Sequence, residues 1–229
     1  MYNIKTEVFT LSMKKVIFIC VALSIMFSIS VGATGDTLSY WYATEDNPND
    51  YIFRMTVRPK IGWNILSAGT FSATNIDAYV QHAVDQWTSY GMPIDKVSFT
   101  SANIVVQAGK YSVLKPLTQA AIKPGTAGYT DRENGGNGYF EKNWTYNSQI
   151  KYGYTSNFSR ILVLFDTSNG TQLYSNETIY KNVILHEVGH ALGWQGHSAN
   201  TTDIMHAQSK SVYTLTSRDA NHVRQIKCY

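Results

Sequence analysis

Cysteine is almost missing: Cys20 and Cys228 are the only two in 229 residues. A small scaffold stapled by disulfides is therefore excluded. Charge of one sign is scarce as well. Residues 1–33 carry three lysines (Lys5, Lys14, Lys15) and one acid (Glu7), and the remainder holds 16 basic against 15 acidic residues. A surface so close to neutral offers no electrostatic footprint for nucleic acid or anionic lipid. No internal repeat, long linker or charge block divides the chain. The G-x-S-x-G elbow of serine hydrolases is absent, and Cys228 lies at the end without an evident base, which argues against a serine or cysteine nucleophile.

Long apolar runs are limited to one. VIFICVALSIMFSI (16–29) follows Lys14 and Lys15 and precedes the small-residue stretch SVGA. That order is the n-region, h-region and cleavage site of a secretory signal peptide, expected to span residues 1–33 with cleavage after Ala33. An uncleaved membrane anchor is the alternative, disfavoured by the polar sequence that follows. The remainder, 34–229, is expected to be one secreted domain, monomeric and free of the membrane once the signal is cleaved. Cys20 leaves with the signal, so Cys228 has no partner within the mature chain. Five N-x-[ST] sequons, at Asn143, Asn157, Asn169, Asn176 and Asn200, read as accidents of an Asn/Ser/Thr-rich composition.

With 44% hydrophobic and 15% charged residues the chain is globular. YIFRMTV (51–57) alternates like a strand. A helix is expected over 75–90, opened by Thr74 with Asp77 three residues on and closed by Gly91 and Pro93. Ile76, Val80, Ala83, Val84 and Trp87 share one face of it. KVSF and NIVVQA read as short strands and RILVLFD (160–166) as a buried one. Residues 131–158, rich in Gly, Asn and Tyr, suggest a long loop or exposed hairpin. TIYKNVILHEVGHALG reads as a helix ending at Gly193, and a closing helix is capped by Thr216. Strands mixed with three helices make an α+β or α/β domain.

The chemistry lies in HEVGHALGWQGH (186–197). His186 and His190, four residues apart, share a helix face and can reach one ion at the zinc–nitrogen distance of about 2.0–2.1 Å. Glu187 sits one position round the helix, close to the ion's water but not a ligand. Gly193 permits the sharp exit that returns His197 to the same metal. Three neutral imidazoles leave a fourth position open, as in catalytic rather than structural zinc sites. A lone histidine on a helix is commonly a core or solvated residue; four matched positions point to ligation.

These residues match the H-E-x-x-H-x-x-G-x-x-H signature, and the chain resembles the metzincin metallopeptidases of the matrixin branch, in a secreted bacterial form. Met205, in TTDIMHA, stands where the Met-turn methionine would, and LTSRDANHVRQIKCY resembles the matrixin closing helix. AAIKPGTAGYT resembles the edge-strand region and RILVLFD the strand before the active-site helix. The resemblance covers roughly 50–229 and implies an α+β metzincin-like domain. Its parts would be a twisted mixed sheet of about five strands, an active-site helix, a Met-turn and a C-terminal helix below a horizontal cleft. It implies Met205 packing beneath the metal, and no fifth ligand, because Ala207 occupies the position of the extra tyrosine of some relatives. Residues 131–158 form an insertion between the strands resembling the fourth and fifth. No Pro-Arg-Cys-Gly latency motif is present.

The expected function is that of a secreted zinc endopeptidase acting on protein or peptide substrates. A zinc-activated water would attack the scissile carbonyl, with Glu187 as general base. Two other classes share the motif: a zinc hydrolase of cell-wall amide bonds, and a zinc-holding binding or toxin module, which would not need Glu187. Ca2+ at Asp131 and Glu133 is possible by residue type, but a solvated loop is the simpler reading. His82 reads as structural or solvated, and His206 and His222 lack partners at ligand spacing. The tyrosines of 139–154 suit a hairpin with cross-strand aromatic pairs better than a substrate groove.

Overall fold

The structure is a computed structural model that describes residues 51–219, apart from Thr56, 68–71, 119–120, 132–139, 147–148, 157, 195–196, 199 and 209–210. The expected signal segment 1–33, Glu133, most of the closing helix, His222 and Cys228 lie outside the described residues. In chain order the elements are β1 (Tyr51–Met55), β2 (Lys60–Ile65), α1 (Ala73–Ser89), β3 (Asp95–Lys96) and β4 (Ile104–Gly109). There follow α2 (Tyr111–Leu114), β5 (Gly128–Asp131), β6 (Phe140–Tyr146), β7 (Gln149–Ser156), β8 (Ser159–Leu164) and α3 (Glu177–Leu192). Among the described residues no helix is long and apolar enough to cross a membrane.

Five strands form a mixed sheet in the order β3-β2-β4-β8-β5. All neighbours run parallel except β5, which pairs antiparallel with β8 through Gly128↔Val163 and Asp131↔Arg160. β8 explains its own composition. Ile161 and Val163 point into the core beneath the helices, and Leu162 and Leu164 join Leu114 and Ile122 on the opposite face. A strand covered on both sides has no reason to alternate, and this one reads as an unbroken apolar run.

α1 and α3 cover the first face. Ile76, Val80, Ala83, Val84 and Trp87 of α1 are buried there, as the helical spacing predicts, with Ile184, Leu185 and Val188 of α3. Trp87 is fully buried, and its indole Nε1 donates to the Leu185 carbonyl at 3.1 Å, tying the two helices together.

The start of α1 differs from the sequence expectation. Ser72, not Thr74, is the N-cap: its Oγ accepts from the Asn75 amide at 3.3 Å, and the Asn75 side chain accepts from the Ser72 amide at 3.1 Å. Asp77 is instead engaged with the sheet, accepting from Trp63 Nε1 at 2.7 Å and pairing with Lys96 at 2.5 Å. KVSF contributes only Lys96 to a strand, since Phe99–Ser101 forms a 3-10 turn. That turn lies on β2, where a Cβ on Gly62 would come within 2.8 Å of the Phe99 backbone. The glycine that admits the turn also breaks the alternation of KIGWNI, so β2 escaped the sequence reading.

The stretch 131–158, whose first residue ends β5, leads to β8 and holds a β6–β7 hairpin rather than a long loop. β1 is a strand as expected, but it pairs in parallel with β7, making a separate three-stranded sheet. The tyrosine side chains of this sheet lie outside the described residues.

Candidate metal centre

α3 is capped by Asn176, whose side chain accepts from the Thr178 amide at 2.8 Å. It ends where Gly193 adopts φ +128°, a conformation that disfavours any residue with a Cβ. The Gly193 amide closes on the Gly189 and His190 carbonyls and the Trp194 amide on the Gly189 carbonyl, which turns the chain back. His197 then returns to the helix face that carries His186 and His190. Their ring centroids lie 4.7 Å (186–190), 5.3 Å (186–197) and 5.1 Å (190–197) apart. One ring nitrogen from each lies within 4.8 Å of the others, the one such group of three or more His, Cys, Asp or Glu among the described residues.

Hydrogen bonding assigns the protons. His186 Nδ1 faces the Ile204 carbonyl at 2.7 Å and His190 Nδ1 the Trp194 carbonyl at 2.9 Å. A carbonyl can only accept, so each Nδ1 carries a hydrogen, and each ring when neutral presents a lone pair at Nε2. The two Nε2 atoms nevertheless face each other at 3.0 Å. Two lone pairs at that distance repel unless a cation, a proton or a metal ion, lies between them. Two zinc–nitrogen bonds of tetrahedral angle would set the nitrogens about 3.3 Å apart, so the donor set fits such an ion. Burial, and then the neighbouring His197, push the His186 imidazole down to about 4, leaving it neutral at pH 7.

Glu187 projects toward β5 and is buried. Its Oε2 accepts a 2.6 Å hydrogen bond from the Thr130 hydroxyl. The three histidines and Glu187 line a cleft of about 880 Å³ together with residues 121–130, Tyr174, Val183 and 206–208.

Met205 is fully buried beneath α3, packed on Gly189. A Cβ at position 189 would overlap the Met205 thioether and lie 2.9 Å from the Trp87 ring. The Ser198 amide donates to the Met205 carbonyl at 2.7 Å, stapling the chain after His197 to this turn. Below it, Asp219 accepts from the amides of Ile204 (3.1 Å), Met205 (3.2 Å) and Thr216 (2.9 Å) and from the Thr216 hydroxyl (2.8 Å). Thr216 caps in return, accepting from the Asp219 amide at 3.2 Å. Asp203, with a side chain wholly withdrawn from solvent, pairs with Arg218 at 2.7 Å and accepts from Ser198 Oγ at 2.7 Å. A line of contacts therefore runs from Asp219 through the Ile204 peptide to the His186 ring.

Of the side chains outside the histidine motif, His206 lines the cleft, with Nδ1 accepting from the Gln208 amide at 3.2 Å. Ala207 lines it too. His82 stands away from the centre, its ring edge-on to Tyr213 and its Nε2 2.5 Å from the Tyr213 carbonyl. Asp131 is buried at the end of β5. Thr130, Gly128, Asp203 and Asp219 were not singled out from the sequence. Asp219 lies within LTSRDANHVRQIKCY, the stretch that resembles the matrixin closing helix, which was its only signal; for Thr130 there was none.

The family model of the matrixins, peptidase family M10, matches residues 55–227, which includes the five-stranded sheet, α3 and the Met205 turn. No curated protein matches the chain in sequence.

Proposed function

The chain belongs to the matrixin family of metallopeptidases, and from that premise we propose that it is a secreted zinc endopeptidase cleaving protein or peptide substrates. His186, His190 and His197 would hold the zinc. The observation that carries this reading is the pair of Nε2 lone pairs facing each other at 3.0 Å with both Nδ1 atoms already committed to carbonyls. Bound there, zinc would polarise a scissile carbonyl and bring the pKa of a coordinated water to about 7.

The chain's own groups supply the rest. Glu187 would take the proton of the attacking water and deliver it to the leaving amine nitrogen, so that a single carboxylate serves as base and then acid. The carbonyls of Ile204 and Trp194 hold the two helix imidazoles in the tautomer a ligand requires. Met205 supports the helix from below through its contact with Gly189. Residues 1–33 would direct export and be removed, as the order of Lys14, Lys15, apolar run and small residues suggests.

The test is cleavage of casein and of a peptide library by the purified chain. Activity is expected to vanish with a chelator and return with zinc. Glu187→Ala should keep its zinc and lose at least about 100-fold in kcat. Activity that survives both treatments overturns the proposal, and hydrolysis of purified cell wall with none of peptides would move the reading to the other amide class. Amino-terminal sequencing of the exported chain tests removal of the first 33 residues.

A further inference from the structure

A general base on a glutamate has three side-chain torsions to restrain. α3 fixes the Cα of Glu187 but not its carboxylate, so something beyond the helix must aim it. The Thr130 hydroxyl lies 2.6 Å from Glu187 Oε2 and 3.0 Å from the backbone carbonyl of the same residue. One hydroxyl thus spans both ends of the side chain. It must donate, because a carboxylate and a carbonyl offer only acceptors, and the short distance marks the carboxylate bond as the stronger. Thr130 is itself restrained, since its β-branch limits χ1 and its backbone is paired opposite Ile161 on β8.

Gly128 lies two residues earlier on β5, on the same face of the strand. A Cβ there would lie 2.7 Å from Glu187 Cγ, 2.7 Å from Oε1 and 2.7 Å from Val183 Cγ1. The side of β5 that meets α3 therefore offers Glu187 an open place at 128 and a donor at 130.

We propose that Thr130 is a positioning residue that orients the Glu187 carboxylate for proton transfer, with Gly128 keeping the space in which the carboxylate sits. The proposal rests on the peptidase reading for its kinetic consequence; the orientation of Glu187 stands apart from it.

Thr130→Val removes the donor and keeps the shape, Thr130→Ser keeps the donor, and Thr130→Ala repeats the deletion should valine not fold. For the zinc-loaded protein, Thr130→Val is expected to lower kcat by about 10- to 100-fold, the scale of a misplaced reacting group, with KM within about twofold of wild type. Zinc affinity from chelator competition and the melting temperature should hardly change. Thr130→Ser should recover most of kcat. In crystals of Thr130→Val the carboxylate is expected to leave the place it holds beside residue 130. An undiminished kcat, equal losses in the serine and valine variants, or an unmoved carboxylate would overturn the proposal. If the wild-type chain cleaves no peptide, the peptidase reading falls, and the crystals alone decide the role of Thr130.

Discussion

Position 189 shows how little room the site leaves. The helix crosses the Met205 thioether and the Trp87 ring so closely that a single methyl group has nowhere to go. Gly189→Ala should cost about 1–3 kcal/mol, as overpacking does, and weaken zinc binding, because the displaced turn carries the Ile204 carbonyl that holds His186. Urea unfolding and chelator competition would register the two effects. His186 has its own consequence. Its imidazole titrates near 4 when folded and near 6.5 when unfolded, so the unfolded chain binds the extra proton in the window between. Stability of the metal-free protein should therefore be complete above about pH 6.5 and fall as the pH drops toward 4, by up to about 3 kcal/mol from this group. Urea midpoints at pH 7 and pH 5, compared with those of His186→Gln, measure it.

At the scale of elements, the turn around Met205 depends on a carboxylate from the closing segment. Asp219→Ala would strip the partner from two buried amides and from the Thr216 cap. A loss of about 2–5 kcal/mol is expected from removal of one member of such a buried network. Zinc affinity should fall about 10- to 100-fold, because the Ile204 carbonyl would no longer be fixed opposite His186. Equilibrium unfolding and zinc titration would check both. This dependence also shows which parts of the structure were legible in the sequence. HEVGHALGWQGH is contiguous, and helical periodicity plus one glycine suffice to fold it into a cluster. Thr130 reaches Glu187 from 57 residues away, a separation over which local patterns carry no signal. β2 hid behind Gly62, whose purpose became visible only once the Phe99 turn was seen lying on it. The cap of α1 moved to Ser72 because Asn75 can serve as a reciprocal partner, while Asp77 was needed by Trp63 and Lys96.

For the whole molecule, the cleft lies where the antiparallel edge strand of the five-stranded sheet meets the helix, and its candidate ligands join parts of the chain that α3 alone could not hold. The metal should consequently act as a tie. Zinc at about a thousandfold excess over its Kd would add about 4 kcal/mol, so melting temperature should rise on zinc addition and fall on chelation; a scan with no shift would contradict the ligand assignment. Within the five-stranded sheet β8 was the easiest strand to foresee, because it announces itself by hydrophobicity on both faces. The β6–β7 hairpin was foreseen as one of two possibilities. Its partnership with β1 was not, since parallel pairing across so long an interval leaves no turn signal to read.

The Asp219 contact makes the first candidate ligand of the centre answerable to a residue well downstream of the histidine motif. A stop codon or a proteolytic nick just ahead of position 219 would spare every residue of the histidine motif and of the five-stranded sheet. Such a truncated chain would keep its signature intact, yet the ring of His186 would have lost the anchorage that aims it.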